Sequence, residues 1–264
     1  MPYYLKPLKC VYMNNNEPLT LSEISEAAKR RVTLISKEFS NGFEFIKNYP
    51  RSVTFFGSAR TKEDDVYYKK ARELASRVVK ELHYSVITGG GPGIMEAANR
   101  GAFEAGGNSL GLTIDLPSEQ LTNQYLTDRE SFHYFFSRKV CLSFSAEAFI
   151  FFPGGFGTLN EFLEILTLVQ TNKIPKAPMI LAGVSFWASL EQFLKEILLK
   201  NKMVDAGDIS LYTLTDDEDE ILKIIKEAPV RLGVKYDVNS ERPVRSNPSK
   251  NGHEPLSRLL KKIF

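Results

Sequence analysis

Two glycine-rich segments, each placed directly after a short apolar run and directly before a helical pattern, constrain the fold more than any other feature. GGGPG at residues 89–93 follows the apolar run 84–88, and PGGFG at residues 153–157 follows the run 148–152. A tight turn that needs positive φ explains one or two glycines, whereas the first segment has four in five positions. A turn from a buried strand into a helix leaves unpaired N–H groups at the positive end of the helix dipole. Both segments therefore predict strand–turn–helix units that bind an anion such as phosphate.

The rest of the chain alternates in the same way between short apolar runs and amphipathic segments. Runs such as FIFF at residues 149–152 are apolar on both faces, as strands inside a parallel sheet must be. Strand alternating with helix predicts an α/β fold, a doubly wound, Rossmann-like parallel sheet flanked by helices. The predicted strands are residues 53–56, 84–88, 109–114, 148–152 and 179–181, with a weaker one at 209–214; the predicted helices are 65–82, 94–105, 131–145, 159–171 and 186–200.

Three regions are predicted along the chain. Residues 1–49 form an N-terminal helical extension, in which Thr20 and Glu23 provide a capping box for a helix up to residue 47. Residues 50–230 form the Rossmann-like domain. Residues 231–264 read as a mobile tail with a short basic helix at its end, because proline, asparagine and glycine interrupt them. Within the second region, Thr215 and Glu218 predict one more capped helix, ending near residue 228.

Composition excludes several classes of protein. A formal net charge of +2 is too small to indicate a nucleic-acid partner. The two cysteines, Cys10 and Cys141, and the three histidines are scattered, so we expect no metal site. The N-terminus lacks the apolar core of a secretory signal, and no apolar run is long enough for a membrane span. We therefore expect a cytoplasmic protein with no membrane partner.

A third turn, GSAR at residues 57–60, also follows a predicted strand and offers a hydroxyl and a guanidinium. In an open parallel sheet all three turns meet at the carboxyl edge, where ligands bind. At the second glycine segment Thr158 is predicted as the N-cap, and Glu161 lies three residues later. Glu161 then has two readings: it closes a capping box on its own helix, or it faces the ligand.

The sequence lacks the standard nucleotide-binding motifs. No Gly-Lys pair occurs, which excludes a Walker A loop, and Ile94 occupies the last position of the dinucleotide fingerprint. None of the eleven tyrosines is followed four residues later by lysine, as a short-chain dehydrogenase would require. These absences favour a nucleoside monophosphate as the ligand, with no organic cofactor.

Three motifs together resemble the Lonely Guy (LOG) family of cytokinin riboside 5′-monophosphate phosphoribohydrolases, whose members often carry the label lysine decarboxylase. PGGFGTLNE at 153–161 matches the family signature PGGxGTxxE at every fixed position. GGGPGIM at 89–95 and YFFSRK at 134–139 are similar to the longer branch of the family. The resemblance covers about residues 50–225 and leaves out the N-terminal extension and the tail.

The resemblance implies hydrolysis of the N-glycosidic bond of a nucleoside 5′-monophosphate, AMP or a cytokinin riboside 5′-monophosphate, to free base and ribose 5-phosphate. It implies Glu161 and Arg138 as catalytic residues. A carboxylate near the anomeric carbon stabilises the positive charge that develops there, whereas an arginine stays protonated and acts by charge and position. Without the resemblance, Arg138 and Lys139 would read as a solvated basic pair on a helix surface.

The remaining predicted site residues hold the phosphate or the nucleoside. Glu164, one turn beyond Glu161, is either a second acid or the partner of a surface cation. The predicted binding residues are Gly154, Gly155, Gly157, Thr158, Gly90, Gly91, Gly93, Lys139, Ser58 and Met95.

Two other functions are alternatives to hydrolysis. A non-catalytic protein of the same fold that senses AMP or a related nucleotide needs the glycines but no carboxylate at position 161. A pyridoxal-phosphate lysine decarboxylase is rejected, because no His-Lys pair is present for its cofactor lysine. The resemblance also implies a homo-oligomer, at least a dimer, with the helix after the second glycine segment at the interface.

Overall fold

The computed structural model of the chain describes residues 20–115 and 122–228. The chain divides between Lys37 and Glu38 into two compact units. The predicted tail and its terminal helix lie outside the described residues, as do residues 1–19, so what was predicted there stays a prediction. Among the described helices, none combines the length and the apolar character that a membrane span requires.

Helix α1 (Leu21–Lys47) begins in the first unit with the capping box that the sequence predicts. The N–H of Glu23 donates to Oγ1 of Thr20 (3.2 Å), and the N–H of Thr20 donates to the carboxylate of Glu23 (2.9 Å). The two residues satisfy each other's free donors and fix the start of the helix.

The second unit contains a seven-stranded sheet in which every pair of neighbouring strands is parallel. Its strands are β1 (Ser52–Phe56), β2 (Ser85–Thr88), β3 (Ser109–Ile114), β4 (Asp128–Phe132), β5 (Ala148–Phe151), β6 (Met179–Leu181) and β7 (Tyr212–Leu214). They lie side by side in the order β4-β3-β2-β1-β5-β6-β7. The predicted doubly wound, Rossmann-like sheet is confirmed.

Helices connect these strands and cover both faces of the sheet. They are α2 (Val66–Leu82), α3 (Ile94–Glu104), α4 (Phe135–Phe144), α5 (Phe156–Gln170), α6 (Val184–Phe193), α7 (Ala206–Ile209) and α8 (Glu218–Glu227); a π-helical segment (Leu194–Leu199) continues α6. Successive strand residues point to opposite faces, so Phe55 packs in the core with α2, α3 and α8. Phe56 packs in the core on the other face, with α4, α5, α6 and the α1 residues of the second unit.

Two predicted helix starts are wrong. The N-cap of α5 is Gly155 and not Thr158, which lies inside the first turn of the helix. The N-cap of α8 is Asp217 and not Thr215, because the carboxylate of Asp217 accepts from the next free N–H groups. Thr215 instead donates its hydroxyl to Glu220.

The sequence also failed to indicate β4, whose last two residues were predicted as the start of a helix over 131–145. This strand has the sequence DRESF and lies at the sheet edge, where only Phe132 is buried. An edge strand facing water needs no apolar run, so hydrophobic pattern does not reveal it. The helix that follows is accordingly shorter than predicted.

The strand order reverses between β1 and β5. From β1 the chain proceeds outward through β2, β3 and β4, and then returns to the other side of β1 with β5, β6 and β7. In open α/β sheets ligands bind at the carboxyl ends of the strands beside such a reversal. The turns after β1, β2 and β5 all end at this point.

Candidate active site

A cleft of about 590 Å³ opens where the three turns meet. We name these turns the serine turn (residues 57–60), the first glycine turn (89–93) and the second glycine turn (154–157). The predicted site residues that line the cleft are Ser58, Gly90, Gly91, Met95, Arg138, Gly155, Gly157, Thr158 and Glu161.

Ser58 joins the turns to one another through its main chain. Its N–H donates to the carbonyl of Pro153, and its carbonyl accepts from the N–H of Ile94, each at 3.0 Å. Its side-chain oxygen accepts from the N–H of Arg60 (3.0 Å), which folds the serine turn back on itself. Ser58 therefore fixes the spacing between the starts of α3 and α5.

The first glycine turn approaches Ser58 closely at Gly93. This glycine has φ of +71°, and a Cβ there would lie 2.3 Å from the carbonyl oxygen of Ser58. Gly93 therefore permits contact between two turns and does not line the cleft.

A buried amide network, which the sequence did not reveal, supports the same turn. Asn123 donates its N–H to the carbonyl of Gly90 (2.9 Å) and its side-chain amide to the carbonyl of Gly91 (3.0 Å). The same amide donates to Asn99, which accepts from the hydroxyl of Thr88. Buried polar groups that satisfy one another hold a unique geometry, so this network fixes the floor of the cleft.

The second glycine turn presents main-chain donors to the cleft. The first bond within α5 runs from the N–H of Leu159 to the carbonyl of Gly155 (3.1 Å). The N–H groups of Phe156, Gly157 and Thr158 thus precede the helical ladder at the positive end of the dipole. A Cβ at Gly155 or Gly157 would meet no protein atom within 4 Å, so these positions face open space. This is the geometry of an anion site.

Glu161 lies in the second turn of the same helix, α5, and lines the cleft. Because Thr158 is not the N-cap, the capping-box reading of Glu161 is wrong, and its carboxylate does not close the helix. Burial raises the pKa of this carboxyl to about 7; the charges of Arg138 and Lys139 oppose that rise, and the charge of Glu164 adds to it. A carboxyl that titrates near neutral pH suits proton transfer.

Arg138 is buried, with only 8% of its surface exposed, and it lines the same cleft. Its Nε donates to the carbonyl of Leu112 (2.7 Å), while burial lowers the pKa of its guanidinium and the charge of Glu161 opposes that change. A Cβ at Gly89 would lie 2.1 Å from Nη2 of Arg138, so this glycine makes room for the guanidinium. The hypothesis that Arg138 belongs to a solvated basic pair on a helix surface is wrong, and the sequence did not indicate that Gly89 lies against its guanidinium.

Lys139 and Glu164 pair with each other outside the cleft lining. Nζ of Lys139 also donates to Oδ1 of Asn160 (2.6 Å). The alternative in which Glu164 is the partner of a cation is therefore confirmed. The pair joins α4 to α5 at positions adjacent to Arg138 and Glu161.

The structure thus brings most of the predicted site residues to one cleft, whereas Gly93, Gly154 and Lys139 are not part of its lining. A Cβ at Gly154 would meet the side chain of Thr158, so Gly154 packs beneath the turn. Gly89 and Arg60, which lie in the predicted turns, also line the cleft, and Thr113, Ile114, Phe135 and Phe156 are among the lining residues that the sequence did not indicate. Within residues 20–115 and 122–228, no three side chains of His, Cys, Asp or Glu come together as a metal site would need.

The parallel sheet and the glycine-lined cleft at its reversal define a Rossmann-like α/β protein in which a helix N-terminus and a carboxylate line one cleft. A family model described as "Possible lysine decarboxylase" matches residues 95–225. The cytokinin riboside 5′-monophosphate phosphoribohydrolase LOG7 of Arabidopsis thaliana is 30% identical over 164 residues, which cover 61% of this chain and 72% of the relative. The probable enzyme LOG4 of Oryza sativa subsp. japonica is 26% identical over 67% of this chain and 77% of its own length. The chain belongs to the LOG family.

Solved structures support the fold. The X-ray structure of TM1055 superposes with a TM-score of 0.52 at 24% identity, covering 67% of this chain and 98% of that one. The molybdenum cofactor carrier protein of Chlamydomonas reinhardtii gives a TM-score of 0.50 at 24% identity, over 67% of this chain and 96% of its own. At such identities the likeness concerns the fold alone.

Proposed function

We propose that this protein hydrolyses the N-glycosidic bond of nucleoside 5′-monophosphates, AMP or a cytokinin riboside 5′-monophosphate, and releases the free base and ribose 5-phosphate. One observation carries the proposal: Glu161 and Arg138 line the same cleft as the free N–H groups at the start of α5. The names of the LOG relatives support the same activity.

The 5′-phosphate binds at the start of α5 in this proposal. The N–H groups of residues 156–158 and the hydroxyl of Thr158 donate to it, and the open positions at Gly155 and Gly157 allow it to approach the main chain. Ser58 and the first glycine turn bound the opposite side of the cleft. Because Glu161 lies in the next turn of the same helix, binding the phosphate brings the ribose close to its carboxylate.

Glu161 supplies the chemistry at the anomeric carbon. As the C1′–N bond breaks, its electron pair leaves with the base and positive charge develops on C1′ and the ring oxygen, which the carboxylate stabilises. Water then bonds to C1′ and loses a proton to Glu161, and that proton returns to the departing base. Water is therefore the only reactant that the hydrolysis needs besides the nucleotide.

Arg138 acts by charge and position. Its guanidinium remains protonated, is fixed by the carbonyl of Leu112, and faces the cleft from α4. From there it can orient the ribose or stabilise the negative charge that develops on the leaving base. We assign Lys139 an indirect role, since Asn160 and Glu164 already hold its ammonium group.

Incubation with AMP should release adenine and ribose 5-phosphate in equal amounts. Chromatography of the base together with a reducing-sugar assay measures both products. A panel of purine and pyrimidine monophosphates extends the test to base preference. Binding of these nucleotides with no product after prolonged incubation would contradict hydrolysis and favour the non-catalytic nucleotide sensor.

The rate of base release should fall as the pH decreases below about 7. The pKa of Glu161 is raised to about 7, so the active carboxylate predominates above that value and the protonated form below it. The logarithm of kcat/KM, which reports groups of the free enzyme, should accordingly rise with pH with a slope of one and level off. A flat profile between pH 5 and 8 would exclude Glu161 as the titrating group.

We also propose that the protein is a cytoplasmic homo-oligomer. The predicted interface helix, α5, has Leu163 exposed and Leu166 and Leu168 half-buried. Phe162 and Val169, on the same helix, are buried inside the protomer and are not available for contact with a partner. An interface formed by α5 would therefore bury fewer apolar side chains than the sequence of this helix predicts.

A further inference from the structure

We infer that Glu38, on α1, is a positioning residue for Arg138. The inference rests on the proposed function, in which Arg138 works at the reacting centre. Glu38 precedes the match to the family model, which begins at residue 95, and also the segment from residue 50 in which the sequence resembles the family. The inference therefore assigns a role in the active site to a residue of the helix that the sequence predicts as an N-terminal extension.

The carboxylate of Glu38 caps the start of α4, the helix that carries Arg138. Oε1 accepts from the N–H of His133 (2.7 Å) and Oε2 from the N–H of Tyr134 (3.3 Å). The hydroxyl of Ser137 also donates to Oε2. The N-cap residue of α4, Tyr134, makes no side-chain capping bond, and Glu38 instead joins its N–H to the hydroxyl of Ser137 in the first turn.

Glu38 contacts the first turn of α4, the turn that leads to Arg138. Arg138 is the residue whose N–H closes that turn, by donating to the carbonyl of Tyr134 (3.2 Å). A negative charge at a helix N-terminus stabilises the turn through the dipole, and the bond to the hydroxyl of Ser137 ties Glu38 to the turn itself. Loss of the charge frays the turn, and fraying moves the backbone from which the guanidinium reaches into the cleft.

Gly42 and Phe43, further along α1, also contact α4. A Cβ at Gly42 would lie 2.5 Å from Sγ of Cys141, so the two helices are in close contact at mid-length. At the far end the rings of Phe43 and Phe144 meet edge to face, with centroids 5.7 Å apart. These contacts hold Glu38 in register with the start of α4.

Glu38→Gln tests the inference, with Glu44→Gln as the matched control. Glu44 is on the same helix, is exposed and pairs only with Lys47 one turn away among the contacts described. Glu38→Gln should lower kcat for base release from AMP about tenfold and leave KM within about twofold, because Arg138 acts mainly in the transition state. Glu44→Gln should match the wild type in both constants.

A double-mutant cycle separates positioning from general stability. In a background of Arg138→Ala the change Glu38→Gln should have no further effect on kcat, because the residue through which it acts is gone. An additional tenfold loss in that background would overturn the inference, as would a Glu38→Gln enzyme with the kinetics of the wild type.

Hydrogen exchange makes the test independent of the reaction. In the Glu38→Gln protein the amides of residues 133–138 should exchange at least tenfold faster than in the wild type and the Glu44→Gln control. If the wild type released no base, the proposed function would fail, and this measurement would still decide whether Glu38 holds the start of α4. Unchanged exchange there would overturn the inference.

Discussion

Glu161→Gln is expected to slow the release of base by about a thousandfold and to leave the Kd for AMP within about threefold of the wild type. Glutamine has nearly the same shape as glutamate but neither carries a negative charge nor accepts a proton. The charge on C1′ would then go uncompensated and the attacking water would lack a base. Binding should persist, because the proposed phosphate ligands are main-chain N–H groups that the substitution does not touch. Calorimetric titration with AMP and chromatography of released adenine measure the two effects separately.

Glu164→Gln is the appropriate comparison. Glu164 lies one turn further along α5, outside the cleft lining, and is paired with Lys139. Its replacement should change the rate by less than about tenfold. If the two variants lost activity to the same extent, the effect would reflect the charge balance between α4 and α5, and Glu161 would have no special part in the chemistry.

The Glu161→Gln protein should be more stable than the wild type at pH 8. Burial raises the pKa of Glu161 from 4.5 to about 7, so the folded protein bears a cost for ionising it that the unfolded chain does not. That cost is absent below about pH 4.5, grows as the pH rises and is complete above 7. Partial exposure reduces it, and we expect a gain of about 1 kcal/mol at pH 8, which vanishes near pH 4. Thermal melting of both proteins at the two pH values measures it.

The sequence predicted the central part of the fold because its signals there are local. FIFF at β5 is apolar on both faces, and the glycines after β2 and β5 mark where each strand turns into a helix. Those signals give strand, turn and helix in order, and the right-handed connections of parallel strands complete the sheet. The edge strand β4 lacked any such signal, because DRESF is charged and largely exposed.

The candidate site was predicted less completely, because its geometry depends on contacts between distant residues. Helical spacing alone does not tell that the side chain of Arg138 is buried whereas that of its neighbour Lys139 is partly exposed. Only the folded chain brings Gly89 against the guanidinium of Arg138 and Glu38 to the start of its helix. The prediction of Thr158 as an N-cap was wrong for a related reason. A threonine three residues before a glutamate is typical of a capping box, but the helix begins three residues earlier, with Gly155 as its N-cap.

Gly89→Ala is expected to reduce base release about a hundredfold with little loss of stability. The added methyl group would lie 2.1 Å from Nη2 of Arg138 and 2.9 Å from Sδ of Met95, both at the ends of flexible side chains. Gly89 is not among the glycines with positive φ, so alanine fits the backbone there. The guanidinium must move to make room, and its Nε would lose the bond to Leu112 or turn away from the cleft. Steady-state kinetics and thermal melting of the variant measure the two consequences.

Gly207→Ala controls for the substitution itself. A Cβ at Gly207 would meet nothing within 4 Å, and this residue of α7 does not line the cleft, so rate and melting temperature should stay at wild-type values. If Gly89→Ala also kept the wild-type rate, a displaced guanidinium would be harmless and Arg138 would have no catalytic part. If instead the variant lost activity only in proportion to unfolded protein, the glycine would serve packing alone. The expected pattern, a folded protein with an inactive cleft, requires that the position of a single guanidinium limits the reaction.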